Sequence, residues 1–240
     1  MCGRFALDAH TDELIKEFVF ETGEPPENWR SGWEASWNIS PTQNIPLLFE
    51  STSKDGTISR RFETAYWSLV PGFSKTLKMK YPTFNARAEG IMEKATWKRP
   101  VQSHRGIVPA NGYYEWQGER GHKIPYFIRN PEDPIIGFAA LYSWWPDPQK
   151  SEDDDSRWTL TATILTSDAV KTLADIHDRN PVILPKSMWS RWVDRSIVGS
   201  QELVDESVSA GVEQANRLIF DQVAPVIGDG PELVRPLTKT

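Results

Sequence analysis

Between Thr11 and Phe20 the apolar residues Leu14, Ile15, Phe18 and Val19 recur at helical spacing, and Thr11 stands where a capping hydroxyl belongs. The pattern predicts a helix there. Residues 21–36, with Gly23-Glu24-Pro25-Pro26, read as a loop. Short β-rich runs follow at Pro46–Phe49, Ser59–Glu63 and Tyr66–Val70, and Asp55-Gly56 is a hairpin turn signal between the first two. Ala88–Ala95 reads as a short helix. Further strands are predicted at Gly106–Val108, Tyr113–Trp116, Pro125–Ile128 and Ile135–Tyr142. Trp158–Thr166 alternates with β-branched residues and is the clearest strand of all. Ser167 is placed to cap a helix running to Ile176. Two more helices fit Pro185–Asp194, with Pro185 at the first turn, and Gln201–Ala215.

Many short strands with helices between and after them predict a single α+β domain over residues 1–240. Its centre is a curved, barrel-like antiparallel sheet of short strands with flanking helices. The chain has no βαβ rhythm, no Gly-rich phosphate loop, no internal repeat and no long linker. The acidic stretch 151–156 reads as a solvated surface loop inserted between strands.

Composition narrows the function. Of 240 residues, 39% are hydrophobic and 25% charged, a globular profile with ample core material. No apolar run reaches the roughly 18 residues of a membrane-spanning helix. The N-terminus carries no basic-then-apolar signal pattern. The expectation is a cytoplasmic protein with no membrane partner and no need for more than a monomer. One cysteine and four histidines leave neither a disulfide nor zinc-finger spacing, so no metal or cofactor is expected. The net charge of −6 disfavours a nucleic-acid partner at first sight. Yet Ser74–Arg105 holds eight basic residues against two acids, a local net of +6. Eleven tryptophans also exceed what a core of this size requires, and surplus Trp suits stacking surfaces.

Four places carry candidate chemistry. The single cysteine is residue 2. With Met1 removed, Cys2 carries an α-amine beside its thiol, both partly available near neutrality. Such an aminothiol condenses with an aldehyde to an imine, and the thiol then closes a thiazolidine ring. A frayed terminus is the ordinary alternative for that position. In Phe84-Asn85-Ala86-Arg87-Ala88-Glu89, Asn85 offers an amide and Arg87 a guanidinium, though Asn85 could equally cap a helix. Glu115 lies in the aromatic strand Tyr113-Tyr114-Glu115-Trp116, on the same face as Tyr113. It is either solvated or buried as a general acid–base. His177 stands at a junction after a helix, where catalytic and structural histidines both occur.

Taken in order, these segments resemble the SOS-response-associated peptidase-like family. The resemblance rests on Met1-Cys2-Gly3-Arg4-Phe5, Trp37-Asn38-Ile39-Ser40-Pro41-Thr42-Gln43, Trp67-Ser68-Leu69-Val70-Pro71 and Asn85-Ala86-Arg87-Ala88-Glu89. It continues in Val108–Trp116 and in His177-Asp178-Arg179-Asn180-Pro181-Val182-Ile183-Leu184, with a looser match at Leu233-Val234-Arg235-Pro236. It implies a sensor of abasic sites in single-stranded DNA that traps the ring-opened sugar aldehyde as a thiazolidine crosslink through Cys2. Asn85, Glu115 and His177 would be its catalytic partners, with Glu115 and His177 moving protons. Arg4, Arg87 and Arg179 would contact phosphates. Trp67, Trp116 and Pro41 would wedge or stack against bases, and Asn38 and Thr42 would line the same groove. Ser68, Phe73 and Asn180 depart from the residues usual in the family, which bears on the shape of that groove.

Three other functions fit parts of the pattern. The family name records a cysteine peptidase acting on its own N-terminus, and Cys2 with His177 has the nucleophile–base logic for it. Class II glutamine amidotransferases also begin Met-Cys-Gly, but they lack the later motifs. A non-covalent single-stranded DNA-binding module is the non-enzymatic reading.

Overall fold

The computed structural model describes residues 2–8, 11–20, 31–119 and 121–237. In chain order the elements are β1 (Phe5–Leu7), α1 (Asp12–Val19), β2 (Ser36–Ile39), β3 (Asn44–Thr52), β4 (Ile58–Trp67), β5 (Asn85–Arg87), α2 (Ala95–Ser103), β6 (Arg105–Ala110), β7 (Gly112–Gln117), β8 (Ile124–Arg129), β9 (Ile136–Pro146), β10 (Trp158–Asp168), α3 (Lys171–Ala174), β11 (Arg179–Pro181), β12 (Ile183–Leu184), α4 (Lys186–Val193), α5 (Gln201–Asn216) and β13 (Ile219–Gln222).

Five of these strands close on themselves. β10 pairs with β4, β4 with β3, β3 with β6, β6 with β9, and β9 returns to β10. A closed ring of five strands cannot alternate direction throughout, so at least one neighbouring pair must be parallel. That pair is β4–β10, with Tyr66 opposite Thr161 and Trp67 opposite Ala162. β5 joins β10 in parallel as well, with Asn85 opposite Ile164. The barrel is therefore mixed, which corrects the all-antiparallel expectation. Closure leaves these strands no bare edge.

Alternation sorts the side chains. Ile45, Leu47 and Phe49 of β3 point inward with Phe138, Ala140 and Tyr142 of β9 and Leu160, Ala162 and Ile164 of β10. Leu48, Ile107, Ala139, Leu141 and Leu165 point outward and are covered by apolar residues of α1, α2, α4 and α5. Strands buried on both faces read as continuous apolar runs, which marks β9 in the sequence without fixing its partners.

A second, antiparallel sheet runs β13-β8-β7-β1-β2. It packs against one end of the barrel through Phe5, whose ring meets Trp67 at 5.2 Å and Phe138 at 6.0 Å. Gly112 is required in β7, since a Cβ there would lie 2.4 Å from the Ile128 carbonyl oxygen.

Other expectations are adjusted by pairing and packing. Ser59–Glu63 and the first two residues of the expected strand Tyr66–Val70 are one strand, β4, which ends at Trp67, so residues 68–70 are not strand; β4 is joined to β3 through the expected Asp55-Gly56 turn, where Gly56 has φ +88°. The short helix expected at Ala88–Ala95 is a 3-10 turn at Ile91–Glu93, and the true helix is α2. Gly90, in the left-handed region, stands immediately before the first and breaks the expected run there, and Pro100 inside α2 disguised the second. Ser167 does not cap a helix. It stays in β10 because Thr166–Asp168 pair with Arg179–Pro181 of β11. Thr11 precedes α1, but its hydroxyl donates to the Asp8 carbonyl at 3.2 Å. Of the loop expected at 21–36, residues 21–30 lie outside the described residues, and Ser36 already begins β2. Residues 151–156 belong to the exposed connection between β9 and β10.

Candidate active site

The chain brings Cys2 into the core in place of a frayed end. The residue is fully buried and belongs to the apolar cluster of Phe5, Trp67, Tyr113 and the barrel interior. The Asn85 side-chain amide donates from Nδ2 to the Cys2 carbonyl oxygen at 2.7 Å. Asn85 does this from β5, a three-residue strand with its only described pairing to β10, so the helix-cap alternative does not hold. Its Oδ1 is buried with no hydrogen-bond partner among the described residues.

β7 supplies the carboxylate. Tyr113 and Glu115 are buried on one face of this strand, while Tyr114 and Trp116 lie on the other against Phe127, Val223 and Leu233. β1 holds β7 through Phe5 opposite Tyr113 and through the Tyr114 N–H donating to the Arg4 carbonyl at 2.8 Å. Burial pushes the Cys2 thiol far above its ordinary range, and the Glu115 charge adds to that push. Burial, Cys2 and Glu115 in that order raise the Tyr113 phenol. The Tyr113 hydroxyl is a second buried oxygen without a partner among the described residues. Cys2, Tyr113 and Glu115 thus form one electrostatic unit. Tyr113 was not singled out as functional, although its alternation with Glu115 placed it on the right face.

His177 follows α3 and remains partly exposed. Its Nδ1 accepts from the Arg179 N–H at 3.0 Å and lies 2.7 Å from Asp178 Oδ1. Those two contacts call for opposite protonation of Nδ1, and the exposed Asp178 is the partner free to rotate away. The turn carrying His177 is tied to β7, because Gln117 Nε2 donates to the Asp175 carbonyl at 2.8 Å. Ile176 and Leu173 reach into the same core as Cys2.

The residues expected to meet DNA divide into three groups. Arg87 and Thr42 are exposed, and Pro41, Asn38 and Trp116 are half-buried. Thr42 is the only described non-glycine residue with positive φ, at 72°, and its N–H donates to the Trp67 carbonyl at 3.0 Å. Arg4 is partly covered and its Nη1 donates to Asn38 Oδ1 at 2.5 Å. Trp67 is different. It is fully buried, its indole N–H donates to the Phe84 carbonyl at 2.8 Å, and it has no face to offer a base. Arg179 is likewise held from within the protein. It is 7% exposed and engaged by Glu89 and Asp168. The departures Ser68 and Asn180 are explained locally. The Ser68 hydroxyl bonds that of Thr83 at 2.8 Å, and Asn180 Oδ1 accepts from the Val170 N–H at 3.0 Å.

Other exposed aromatics answer the stacking expectation better. Phe73 is 76% exposed, Tyr81 68% and Trp158 50%. Lys80 lies over the Tyr81 ring and Arg157 over that of Trp158. Of the eight basic residues in 74–105, all but the buried Arg105 are exposed. A cleft of about 540 Å³ opens beside this face, between Phe73, Arg99, His104, Trp144 and Trp158, and does not include Cys2.

The chain is similar to known proteins over most of its length. A family model described as SOS response associated peptidase matches residues 1–229. The abasic site processing protein YoqW of Bacillus subtilis is 33% identical over 195 residues, covering 81% of this chain and 80% of that protein. The abasic site processing protein HMCES of Xenopus tropicalis is 31% identical over 226 residues, covering 81% and 66%. A crystal structure of a Bacteroides thetaiotaomicron protein superposes with a TM-score of 0.74 at 23% identity over 98% of this chain and all of that one. A phage-related protein of Bordetella bronchiseptica gives 0.67 at 27% identity, covering 93% and 95%. The chain belongs to the SOS response associated peptidase family.

Proposed function

We propose that this protein processes abasic sites, capturing the lesion in single-stranded DNA as a thiazolidine through Cys2. The observation that carries the reading is Cys2 itself. Its thiol is sequestered beside the buried Glu115, and its carbonyl is held by Asn85. The relatives named abasic site processing proteins support the lesion class.

The chemistry follows from the electrostatics. A thiol raised by burial and by a carboxylate stays protonated at neutral pH, so it is a poor first nucleophile. The α-amine of a processed Cys2 attacks first. Its nitrogen adds to C1′ of the ring-opened sugar, and loss of water gives an imine. The sulfur then adds to the imine carbon, forming the C–S bond, while the thiol proton passes to the nitrogen. In this reading Glu115 relays that proton and His177 assists at the sugar oxygen. Aldehyde and aminothiol thereby give thiazolidine and one water. Asn85 fixes the Cys2 backbone so that nitrogen and sulfur meet one carbon, and its Oδ1 is an acceptor for the amine or a sugar hydroxyl. The exposed aromatics beside lysines and arginines suit flanking bases without sequence preference.

A peptidase or amidohydrolase working through a Cys2–His177 pair needs a thiol lowered towards thiolate. Burial and Glu115 act in the opposite direction.

The test is to mix the processed protein, its Cys2 confirmed by intact mass, with single-stranded DNA carrying one abasic site. A heat-stable adduct on a denaturing gel is expected, absent for Cys2→Ala and for protein retaining Met1. An equal yield of adduct from Cys2→Ala would sink the reading.

A further inference from the structure

We propose that the Tyr113 hydroxyl is a catalytic hydrogen-bond donor, which bonds to the Cys2 sulfur as that atom gives up its proton in ring closure. The proposal rests on the capture reading given above, in which Tyr113 has no part.

β7 delivers the phenol to the buried side of the site. Phe5 of β1 lies opposite Tyr113, and three residues before Phe5 stands Cys2. Cys2, Tyr113 and Phe138 belong to one apolar cluster and are all fully buried. The Tyr113 ring packs edge-on against Phe138 at 5.9 Å, which fixes its direction. Its hydroxyl has no hydrogen-bond partner among the described residues. A hydroxyl in that condition has lost its water without replacement, and phenylalanine would fill the same space without that cost. The next residue of the strand shows the contrast, since the Tyr114 hydroxyl donates to the Trp37 carbonyl at 2.8 Å. A buried donor without an acceptor in the resting fold suits an acceptor that the reaction creates.

The sulfur is that acceptor. A neutral thiol accepts weakly, whereas a sulfur losing its proton takes a charge-assisted bond about twice as strong as a neutral one. Burial, the Cys2 charge and the Glu115 charge, in that order, hold the phenol well above its ordinary range, so at neutral pH it stays a donor. The Arg4 N–H is a second donor that favours a charged sulfur. Two fixed donors then meet charge where it develops, in a site closed to water. Tyr113 transfers no proton. The thiol proton still reaches the nitrogen by way of Glu115, and formation of the C–S bond discharges the sulfur.

Tyr113→Phe removes one oxygen from the core and tests the assignment at a single step. Variant and wild type are mixed with abasic single-stranded DNA in the presence of cyanoborohydride, which reduces the imine to an amine before the ring can close. Mass spectrometry of the Cys2 peptide then gives the ratio of reduced amine to thiazolidine. Total adduct should form within twofold of the wild-type rate, because the amine attacks first. The ratio should rise at least fivefold in the variant, with a urea midpoint unchanged or higher. An equal ratio overturns the proposal. So does a midpoint that falls, which would show the hydroxyl bonded within the resting fold. Formaldehyde without DNA separates this proposal from the capture reading, since it closes the same ring on a free aminothiol. If wild type traps formaldehyde but not abasic DNA, the DNA reading fails and the formaldehyde ratio decides Tyr113. If wild type closes a ring with neither, both fall.

Discussion

The side-chain amide of Asn85 grips the backbone of Cys2, with Nδ2 2.7 Å from the carbonyl oxygen of a residue 83 positions earlier. The bond fixes the peptide plane next to the Cys2 side chain. In the proposed capture nitrogen and sulfur must reach the same sugar carbon, and orientation of that kind is worth far more to a ring closure than to binding.

Asn85→Ala should therefore slow thiazolidine formation more than tenfold while changing affinity for single-stranded DNA less than threefold. Asn85→Asp should be at least as slow, because a carboxylate cannot donate to the Cys2 carbonyl. Single-turnover gels and fluorescence anisotropy on the same preparations measure the two quantities. Equal losses in both would make Asn85 a binding residue only.

Glu115→Gln separates thiol acidity from proton transfer. Removing the carboxylate charge lowers the Cys2 thiol pKa, though burial, the larger cause, keeps it above the ordinary range. The half-point of Cys2 alkylation should move to lower pH. Crosslinking should nonetheless fall roughly 10²-fold, the usual contribution of a positioned acid–base. A more acidic thiol that closes the ring more slowly is the signature of Glu115 as relay. An unchanged rate removes it from the mechanism.

What could be read in advance depended on how local the cause was. The β10 strand and the Asp55-Gly56 turn follow from alternation and turn chemistry within a few residues, and both stand as expected. Glu115 and Tyr113 sharing a face is the same two-residue arithmetic. β5 and β11 have three residues each, too few for a period, and exist because β10 runs past its pairings with β4 and β9 and takes them as partners there. The partners of Arg179 are equally invisible locally, since its carboxylates lie 90 and 11 positions away in the chain. Trp67 looked like a stacking surface because nothing local says that β4 turns its last residue into the barrel. The burial of Cys2 depends on the whole N-terminal strand crossing to β7 and β2, a long-range pairing.

Trp67→Phe tests the core assignment. The substitution removes the donor to the Phe84 carbonyl and part of a fully buried ring. It should cost about 1–3 kcal/mol of stability in urea unfolding. Affinity for an undamaged single strand should stay within twofold. A variant of normal stability that binds DNA poorly would restore Trp67 to the groove.

His104 gives the barrel a dependence on acid. Its Nδ1 pairs with the Ser103 hydroxyl at 2.8 Å, and its ring packs edge-on against Tyr142 at 5.0 Å. Burial, with help from Arg195 and Arg99, lowers its pKa from 6.5 to about 4. The unfolded chain takes up a proton as pH falls through 6.5, while the folded chain resists until about 4. The stability this group supplies is complete above the unfolded value. It declines across that window as the solution is acidified, by roughly 3 kcal/mol at most. His104→Gln removes the titration and should flatten that part of the profile. Urea midpoints of both proteins at neutral pH and near pH 4.5 should diverge, with wild type losing more. Parallel losses would show that His104 is as readily protonated in the folded chain as in the unfolded one.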